Sequence, residues 1–313
     1  MVVCSYYLEL RYNIHLWIAD MELYQLRTLV TVADAGNLTH AAERLYTSQP
    51  AISAHVKALE QELNVKLFDR TPKGMRLTAH GKILIEKAHS VLNAANELRI
   101  EASMLSGELA GAVKIGLNTN AEFLQLSKLH DQLISKSPQL KIQLSEGISV
   151  ELLDEIRRGS IDGSFYFGSN SLKEVESIYL TSANIVVAGA SKWKDQLNTA
   201  TPADLAKLPW IYPVPFCPYH DFVNTLFEDV AEKPKWTADA SSESSMNVLL
   251  RSGVGIALIR EDEAQPWVDE GLITLWQGQS FSLPLNFGYL KKRKQDPLIR
   301  ALVQSVQESF EEA

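Results

Sequence analysis

The sequence predicts an α/β protein with a winged helix-turn-helix head, one long helix, and a larger α/β body. Three observations predict this order. Amphipathic helices and a short hairpin fill residues 21–78, an unbroken heptad pattern follows, and strands then alternate with helices toward the end. The 313 residues are enough for two or three domains, and the 46% of apolar residues is ordinary for a globular protein.

We place an extension outside the fold at 1–20, the winged helix-turn-helix at 21–78, a linker and dimerisation helix at 79–106, and the body at 107–313. The extension lacks a basic stretch ahead of a clean apolar core, so we expect no export and a cytoplasmic protein. The whole sequence has two cysteines, Cys4 and Cys217. They are too few for a disulfide framework, which agrees with a reducing compartment. The longest apolar runs, such as Ile185–Ala190, are strand-sized, so we expect no membrane partner.

The net charge of −8 is unevenly distributed. Residues 21–107 carry 10 basic against 9 acidic side chains, whereas 108–313 carry 19 against 27. An acidic body with a near-neutral head that holds a local basic strip fits a regulator. An architectural DNA-binding protein would need a strongly basic body, so the charge distribution argues against that class.

The head begins with a helix from Met21 that ends at Gly36. A second helix, Leu38–Leu45, carries small alanines on its inner face, and a tight turn leads to a third helix from Pro50 to about Leu63. A third helix with exposed polar residues near its start is typical of a recognition helix that enters the major groove. The residues expected on its outward face are Ser53, Ala54, His55 and Lys57.

A hairpin is predicted around Pro72-Lys73-Gly74, between two short strands. It would form a wing that presents Arg70, Lys73 and Arg76 to DNA phosphates. Taken alone, these charges fit a solvated turn equally well. Their position beside the helix-turn-helix favours the wing.

The chain then runs to Ser106 without Gly or Pro after Gly81. Apolar residues recur alternately four and three positions apart along this helix, which predicts a coiled-coil seam. A helix packed only on its own domain would show a broader apolar face, and this is the competing interpretation. The seam residues are Leu84, Ala88, Val91, Ala95, Leu98, Ala102 and Leu105.

The body alternates between strands and helices, which predicts parallel strands covered by helices. The predicted strands are 112–117, 141–145, 161–167, 184–188, 210–212, 255–259 and 285–290, and the predicted helices are 121–136, 149–158 and around 242–252. We interpret 107–111, which begins and ends with Gly, as a joint ahead of the first strand.

Several motifs of the head occur together and in order over about 60 residues. They are Ala41-Ala42-Glu43-Arg44-Leu45, Ser48-Gln49-Pro50-Ala51-Ile52-Ser53, Leu59-Glu60-Gln61-Glu62-Leu63, Leu67-Phe68-Asp69-Arg70 and Leu77-Thr78-Ala79-His80-Gly81. This head resembles the N-terminal domain of LysR-type transcriptional regulators. The segments Arg158–Asp162 and Leu249–Ala257 resemble the same family more loosely.

The resemblance implies a body of two similar lobes joined by crossover strands, like a periplasmic solute-binding protein. Lobe I would span about 112–182 and 285–313, and lobe II about 183–284. It implies a homo-oligomer, a dimer or a tetramer, that binds double-stranded DNA at a pseudo-palindromic operator and responds to a small-molecule effector. No cofactor is implied.

For DNA contact, the resemblance places Gln49, Pro50 and Ser53 against the operator. Many family members carry a basic residue where this chain has Ala54. We therefore expect His55 and Lys57 to provide more of the contact.

For the effector, register with the family pattern indicates Asn120, Ser149 and Phe216, with Thr119 and Pro215 behind them. The first three follow predicted strands, where ligands of open α/β sheets bind. Helix capping is an equally good reason for the polar residues. Helix N-termini favour an anion, Glu146 opposes one, and the sign of the ligand's charge stays open at this point.

Two other functions compete with this interpretation. Cys217 stands three residues before His220, a spacing that admits a redox-responsive regulator of the same fold. A solute-binding or enzymatic α/β protein with an incidental helical head would need an export signal or a catalytic constellation. The sequence shows no paired Cys/His metal ligands, no phosphate-binding Gly loop and no nucleophile elbow, so we expect no metal site, no catalytic residues and no enzyme.

Overall fold

The computed structural model describes residues 21–72, 74–105, 111–213, 217–240 and 242–311. The chain divides into two compact units, with the division after Ala102. The predicted extension at 1–20 and most of the predicted joint, 107–110, lie outside the described residues. Among the described residues, no helix has both the length and the apolar character needed to cross a membrane.

The head unit contains the predicted three helices, the hairpin and the long helix as far as Ala102. Their bounds are α1 Leu23–Ala35, α2 Leu38–Arg44, α3 Gln49–Leu63, β1 Phe68–Thr71, β2 Gly74–Leu77 and α4 Ala79–Leu105. Asn37 caps α2 by accepting from the N–H of Thr39 at 2.7 Å, and Ser48 caps α3 by accepting from that of Ala51 at 3.3 Å. The two caps begin the second and third helices where the sequence places them.

A single apolar core holds the head together. It combines residues of all four helices with the start of the wing. The fully buried members include Leu29, Ala41, Ile52, Leu59 and Leu67. Ala41 lets α2 and α3 cross closely, as the alanine pattern predicts.

The wing is attached to the turn between α1 and α2 through two glycines. The N–H of Met75 donates to the carbonyl oxygen of Gly36 at 2.7 Å. Gly36 itself has φ +61°, and Gly74 has φ +121°. A Cβ atom on Gly74 would lie 2.2 Å from that same carbonyl oxygen. Only glycine therefore allows the hairpin to approach this closely.

The seam of α4 is divided between two environments. Leu84 and Ala88 pack into the core of their own head, so the prediction of one uniform seam is wrong for its first part. Val91 and Leu98 are 41% and 71% exposed. The second part of the seam is therefore an apolar stripe that the head does not cover.

The body unit is built on a seven-stranded sheet and a separate two-stranded parallel sheet. Its strands are β3 Gly111–Leu117, β4 Leu140–Glu146, β5 Gly163–Phe167, β6 Val175–Ala190, β7 Pro209–Pro213, β8 Lys235–Ala240, β9 Ala257–Arg260, β10 Ile273–Leu275 and β11 Phe281–Leu290. Its α-helices are α5 Leu126–Lys136, α6 Ser149–Arg158, α7 Lys194–Thr199, α8 Pro202–Leu205, α9 Tyr219–Leu226, α10 Glu243–Arg251, α11 Glu261–Asp269 and α12 Pro297–Glu311.

Two long antiparallel strands, β6 and β11, run between the two lobes. In lobe I, β3 pairs in parallel with both β4 and β5, and β5 pairs with β11. In lobe II, β9 and β10 pair with the second half of β6. The prediction that a new strand begins near 184 is therefore wrong, because one 16-residue strand carries the chain from lobe to lobe.

A buried ion cluster fastens the C-terminal segment to lobe I. Arg293 donates to Asp162 at 2.5 Å and to Asp296 at 2.6 Å, and the side chains of Arg293 and Asp162 are less than a tenth exposed. Asp162 also accepts from the N–H of Lys114 on β3 at 2.7 Å. The cluster therefore joins the start of β5, the middle of β3 and the turn before α12.

Replacing Arg293 by Met should destabilise the body by about 3–5 kcal/mol, because two carboxylates would lose their buried partner. Urea denaturation followed by tryptophan fluorescence measures this, since five of the six tryptophans lie between residues 193 and 276. Arg300→Met removes an exposed arginine from α12 and is the matched control. Equal midpoints for the two variants would contradict a stabilising role for the cluster.

Candidate nucleic-acid interface and effector cleft

The N-terminal end of α3 is open to solvent. Gln49 and Pro50 are exposed, as is Lys57 further along the helix. Tyr46, in the turn before α3, is 98% exposed and has φ +51°. The end of α3 and the turn leading to it are thus available to a partner.

The wing lies beside this helix. Arg70 on β1 donates to the hydroxyl of Ser53 on α3 at 3.4 Å. Arg76 on β2 is exposed, while Lys73 at the tip of the hairpin lies outside the described residues. A guanidinium group and the start of the recognition helix therefore meet at one surface of the head, an arrangement suited to phosphate contact next to base contact.

His55 differs from its prediction. Its ring packs on Tyr24 of α1 with 4.6 Å between ring centroids, and its Nδ1 lies 3.2 Å from the hydroxyl of Thr28. The side chain is half-buried. The expectation that His55 lies on the outward face is wrong, because its ring is used to hold α3 against α1.

Glu60 is a residue that sequence reasoning missed. Its carboxylate accepts from the backbone N–H groups of Leu67 and Phe68 at 2.7 and 3.2 Å. This pair of bonds fixes the start of β1 relative to α3, and with it the wing. The sequence shows Glu60 within the Leu59–Leu63 motif, but only the fold shows which backbone N–H groups donate to its carboxylate.

A cavity of about 520 Å³ opens in the body at the carboxyl ends of β3 and β4. Residues from both lobes line it, including the N-terminal ends of α6 and α10. The lining residues include Asn118, Thr119, Asn120, Glu146, Ser149, Glu151, Phe167, Cys217, Tyr219 and Glu243. The structure thus brings Thr119, Asn120 and Ser149 together as predicted, while Pro215 and Phe216 lie outside the described residues.

The predicted polar residues have local partners too. Ser149 Oγ accepts from the N–H of Phe167 at 3.1 Å and from the amide of Asn118 at 3.4 Å. Asn120 Oδ1 accepts from the N–H of Phe123 at 2.9 Å, which stabilises the turn ahead of α5. Asn120 therefore caps a turn, as the capping interpretation expects. Ser149 links α6 to the end of β5.

Thr119 joins the two lobes across the cleft. Its hydroxyl donates to Glu243 of lobe II at 3.1 Å and accepts from the guanidinium of Arg260. Arg260 has no exposed side-chain area, lies 4.3 Å from the centroid of the Phe123 ring, and pairs with Asp262 at 3.1 Å. Sequence reasoning missed Glu243 and Arg260, since they are more than 120 positions away from Thr119; Glu243 was visible only as the start of a predicted helix.

Burial raises the pKa of three ionisable groups that line the cleft, including the Tyr219 hydroxyl. Burial raises the pKa of Glu243, and repulsion by Glu263 adds to this shift, against the opposing attraction of Arg260. Burial also raises the pKa of the Cys217 thiol to about 11, although the N–H of Tyr219 opposes the shift. A thiol with such a pKa is a poor thiolate sensor, which disfavours the redox interpretation of Cys217.

Comparisons with known proteins agree with both units. Residues 23–82 match the family model described as bacterial regulatory helix-turn-helix protein, lysR family, and residues 106–311 match the LysR substrate binding domain. The HTH-type transcriptional regulator ClcR of Pseudomonas putida is 29% identical over 280 residues, which cover 86% of this chain and 92% of that protein.

Solved structures show the same fold. The crystal structure of CbnR, a LysR family transcriptional regulator, aligns with a TM-score of 0.65 and 22% identity over 93% of this chain and 99% of that one. Full-length CbnR in complex with its target DNA aligns with a TM-score of 0.63 and 23% identity over 92% of this chain and 100% of that one.

Cys217 should react slowly with iodoacetamide in the folded protein. A pKa of about 11 instead of the ordinary 9.0 leaves about 100-fold less thiolate at pH 8, and the thiolate is the nucleophile. Mass spectrometry of a Cys4→Ser variant follows this one thiol, and the same variant in urea gives the unshifted rate. Equal rates in the two conditions would show that the thiol is accessible and ionises normally.

Proposed function

The chain belongs to the LysR family of transcriptional regulators, and we propose that operator recognition is performed by α3 and the wing while the cleft of the body binds the effector. The observation that carries the DNA-binding part is the meeting of Arg70 with Ser53 beside the open end of α3. A regulator without catalytic activity, located in the cytoplasm, is part of the same proposal.

The operator contacts are assigned by position on α3 and by chemistry, since Gln49, Pro50 and Lys57 are exposed and Ser53 is half-buried beside Arg70. Gln49, Pro50, Ser53 and Lys57 would enter the major groove, where side chains read base edges. The cations of the wing would contact phosphates and fix the register of the head on the duplex. They are Arg70, Lys73 and Arg76. His55, because it packs on α1, is proposed to orient α3 rather than to touch bases.

The exposed part of the α4 seam supports self-association. Val91 and Leu98 project apolar area that their own head leaves uncovered. A second copy of the same helix would bury it in a coiled coil, and two heads would then bind the two halves of a pseudo-palindromic operator. The assembly would be a dimer, or a tetramer made of two such dimers.

The effector is proposed to bind between the lobes. Thr119, Asn120 and Ser149 line the cleft together, and Pro215 and Phe216 precede the lining residue Cys217 in sequence. Thr119 links the lobes directly through Glu243 and Arg260. A ligand that changes this link would change the relative position of the lobes, which is how binding could reach the DNA-binding head.

Ser53→Ala should weaken operator binding by about 1–3 kcal/mol, the value of one good base contact, and leave the fold unchanged. Gel-shift titration with an operator selected by the protein from a random DNA pool measures the effect. Ser90→Ala changes an exposed serine on α4 and is the control. Wild-type affinity in Ser53→Ala would contradict its assignment to the interface.

Glu at both Val91 and Leu98 should abolish association through α4, because like charges would meet along the seam. Light scattering on the full-length protein gives the mass. Ile83→Glu alters an exposed apolar residue of the same helix that lies off the seam, and it should keep the wild-type mass. An unchanged mass in the double variant would mean that another surface holds the oligomer together.

A further inference from the structure

Acidic side chains line the effector cleft, and the described residues that line it include no cation. We propose that this cleft binds an organic cation, a protonated amine or amidinium attached to an apolar body; the inference rests on the effector role proposed above. Among the described residues that line the cavity, the charged ones are Glu146, Glu151 and Glu243, and none is Lys, Arg or His. The neighbouring sequence segments Val214–Phe216 and Ser241 carry no charged residue.

The helix N-termini at the cleft do not provide a net positive site. The N-terminal end of a helix attracts anions, and α6 and α10 both begin at the cavity. Each helix already carries its own carboxylate in the first turn, Glu151 in α6 and Glu243 in α10. These carboxylates offset the positive ends of the two helix dipoles, so an anionic ligand would meet negative charge at both helix starts.

The nearest guanidinium group does not neutralise the cleft. Arg260 lies 3.7 Å from Glu243, but it is fully buried and is also bound by Asp262 and Thr119. Glu263, which accepts from Asn247 at 2.5 Å, adds a further carboxylate that repels Glu243. The pKa of Glu243 is raised as a result of burial and this repulsion, so a cation in the cleft would relieve an excess of negative charge.

The remaining lining fits an apolar body with a hydrogen-bonding head. Much of the wall is aliphatic or aromatic, and the cavity of about 520 Å³ has the size of a small-molecule site. Asn118 donates to Ser149, and its Oδ1 is buried without a hydrogen-bond partner among the described residues. That oxygen is an unpaired acceptor in the wall of the cavity, and an ammonium or amidinium that reaches it would supply the missing N–H. The apolar residues of the wall are Leu117, Ile148, Phe167, Tyr219, Met246 and Leu283.

Charge-matched probes test the proposal on the full-length protein. Isothermal calorimetry with benzamidine, benzamide and benzoate compares three planar molecules of nearly the same shape that carry a positive, a zero and a negative charge. Pentylamine, pentanol and pentanoate repeat the comparison on a flexible chain. We expect the cation of at least one set to bind about tenfold or more tightly than its neutral counterpart, and both anions to bind weakest.

Three variants locate the binding. Glu243→Gln should weaken binding of the cation by about tenfold, and Glu146→Gln, at the exposed rim, by about threefold. The second variant makes the test independent of the contact between Glu243 and Thr119. Glu270→Gln removes an exposed carboxylate from the end of α11 and should leave binding unchanged.

The proposal is overturned if no cation binds more tightly than its neutral counterpart. It is also overturned if none of the probes binds. Cation binding that survives both cleft variants overturns the location. Gel shifts on the same preparations separate this from the proposed function. A protein that binds its selected operator but prefers benzoate is still a regulator with a cleft of the opposite specificity, whereas failure to bind DNA would contradict the proposed function itself.

Discussion

The antiparallel pairing of β6 with β11 is the constraint on which the body depends. These two strands are hydrogen-bonded along ten residue pairs, from Phe281 with Ile185 to Leu290 with Val175. Lobe I attaches to one part of the pair through β5, and lobe II attaches to the other through β9 and β10. The lobes can therefore differ in sequence and topology and still face each other across one cleft. The register of the pair fixes where that cleft opens.

The strands determine the position of the cleft, and the charges around it determine which ligands it can bind. Arg260 provides one buried positive charge at the point where Thr119 of lobe I meets Glu243 of lobe II. Carboxylates outnumber it at this point, so the contact between the lobes is polar and incompletely neutralised. An apolar contact would hold the lobes together more firmly. This polar contact leaves an excess of negative charge that a bound ligand can neutralise.

The helices and the hairpin of the head could be predicted from the sequence because their signals are local. Asn37 and Ser48 cap the next few residues, and Pro50 fits a first helical turn wherever it occurs. The body was predicted less well, since β6 depends on distant strands for its length: half of the residues in its first half, 175–182, are Glu, Ser or Thr, and its apolar run is only Ile178-Tyr179-Leu180. The residues of the cleft likewise could be predicted only where their sequence signals are local. Ser149 follows a strand in sequence and could be found, whereas the contact of Thr119 with Glu243 exists only after folding.

Gly36 and Gly74, at the contact between the wing and the turn after α1, tolerate substitution to different degrees. Gly36 needs a positive φ, but a Cβ atom there would meet nothing within 4 Å, so an asparagine could replace it at modest cost. Gly74 allows no such exchange, because any side chain would collide with the Gly36 carbonyl oxygen. Substitutions that keep the attachment are thus confined to the residues around Gly74, where the charge of the hairpin can change while the contact with Gly36 stays fixed.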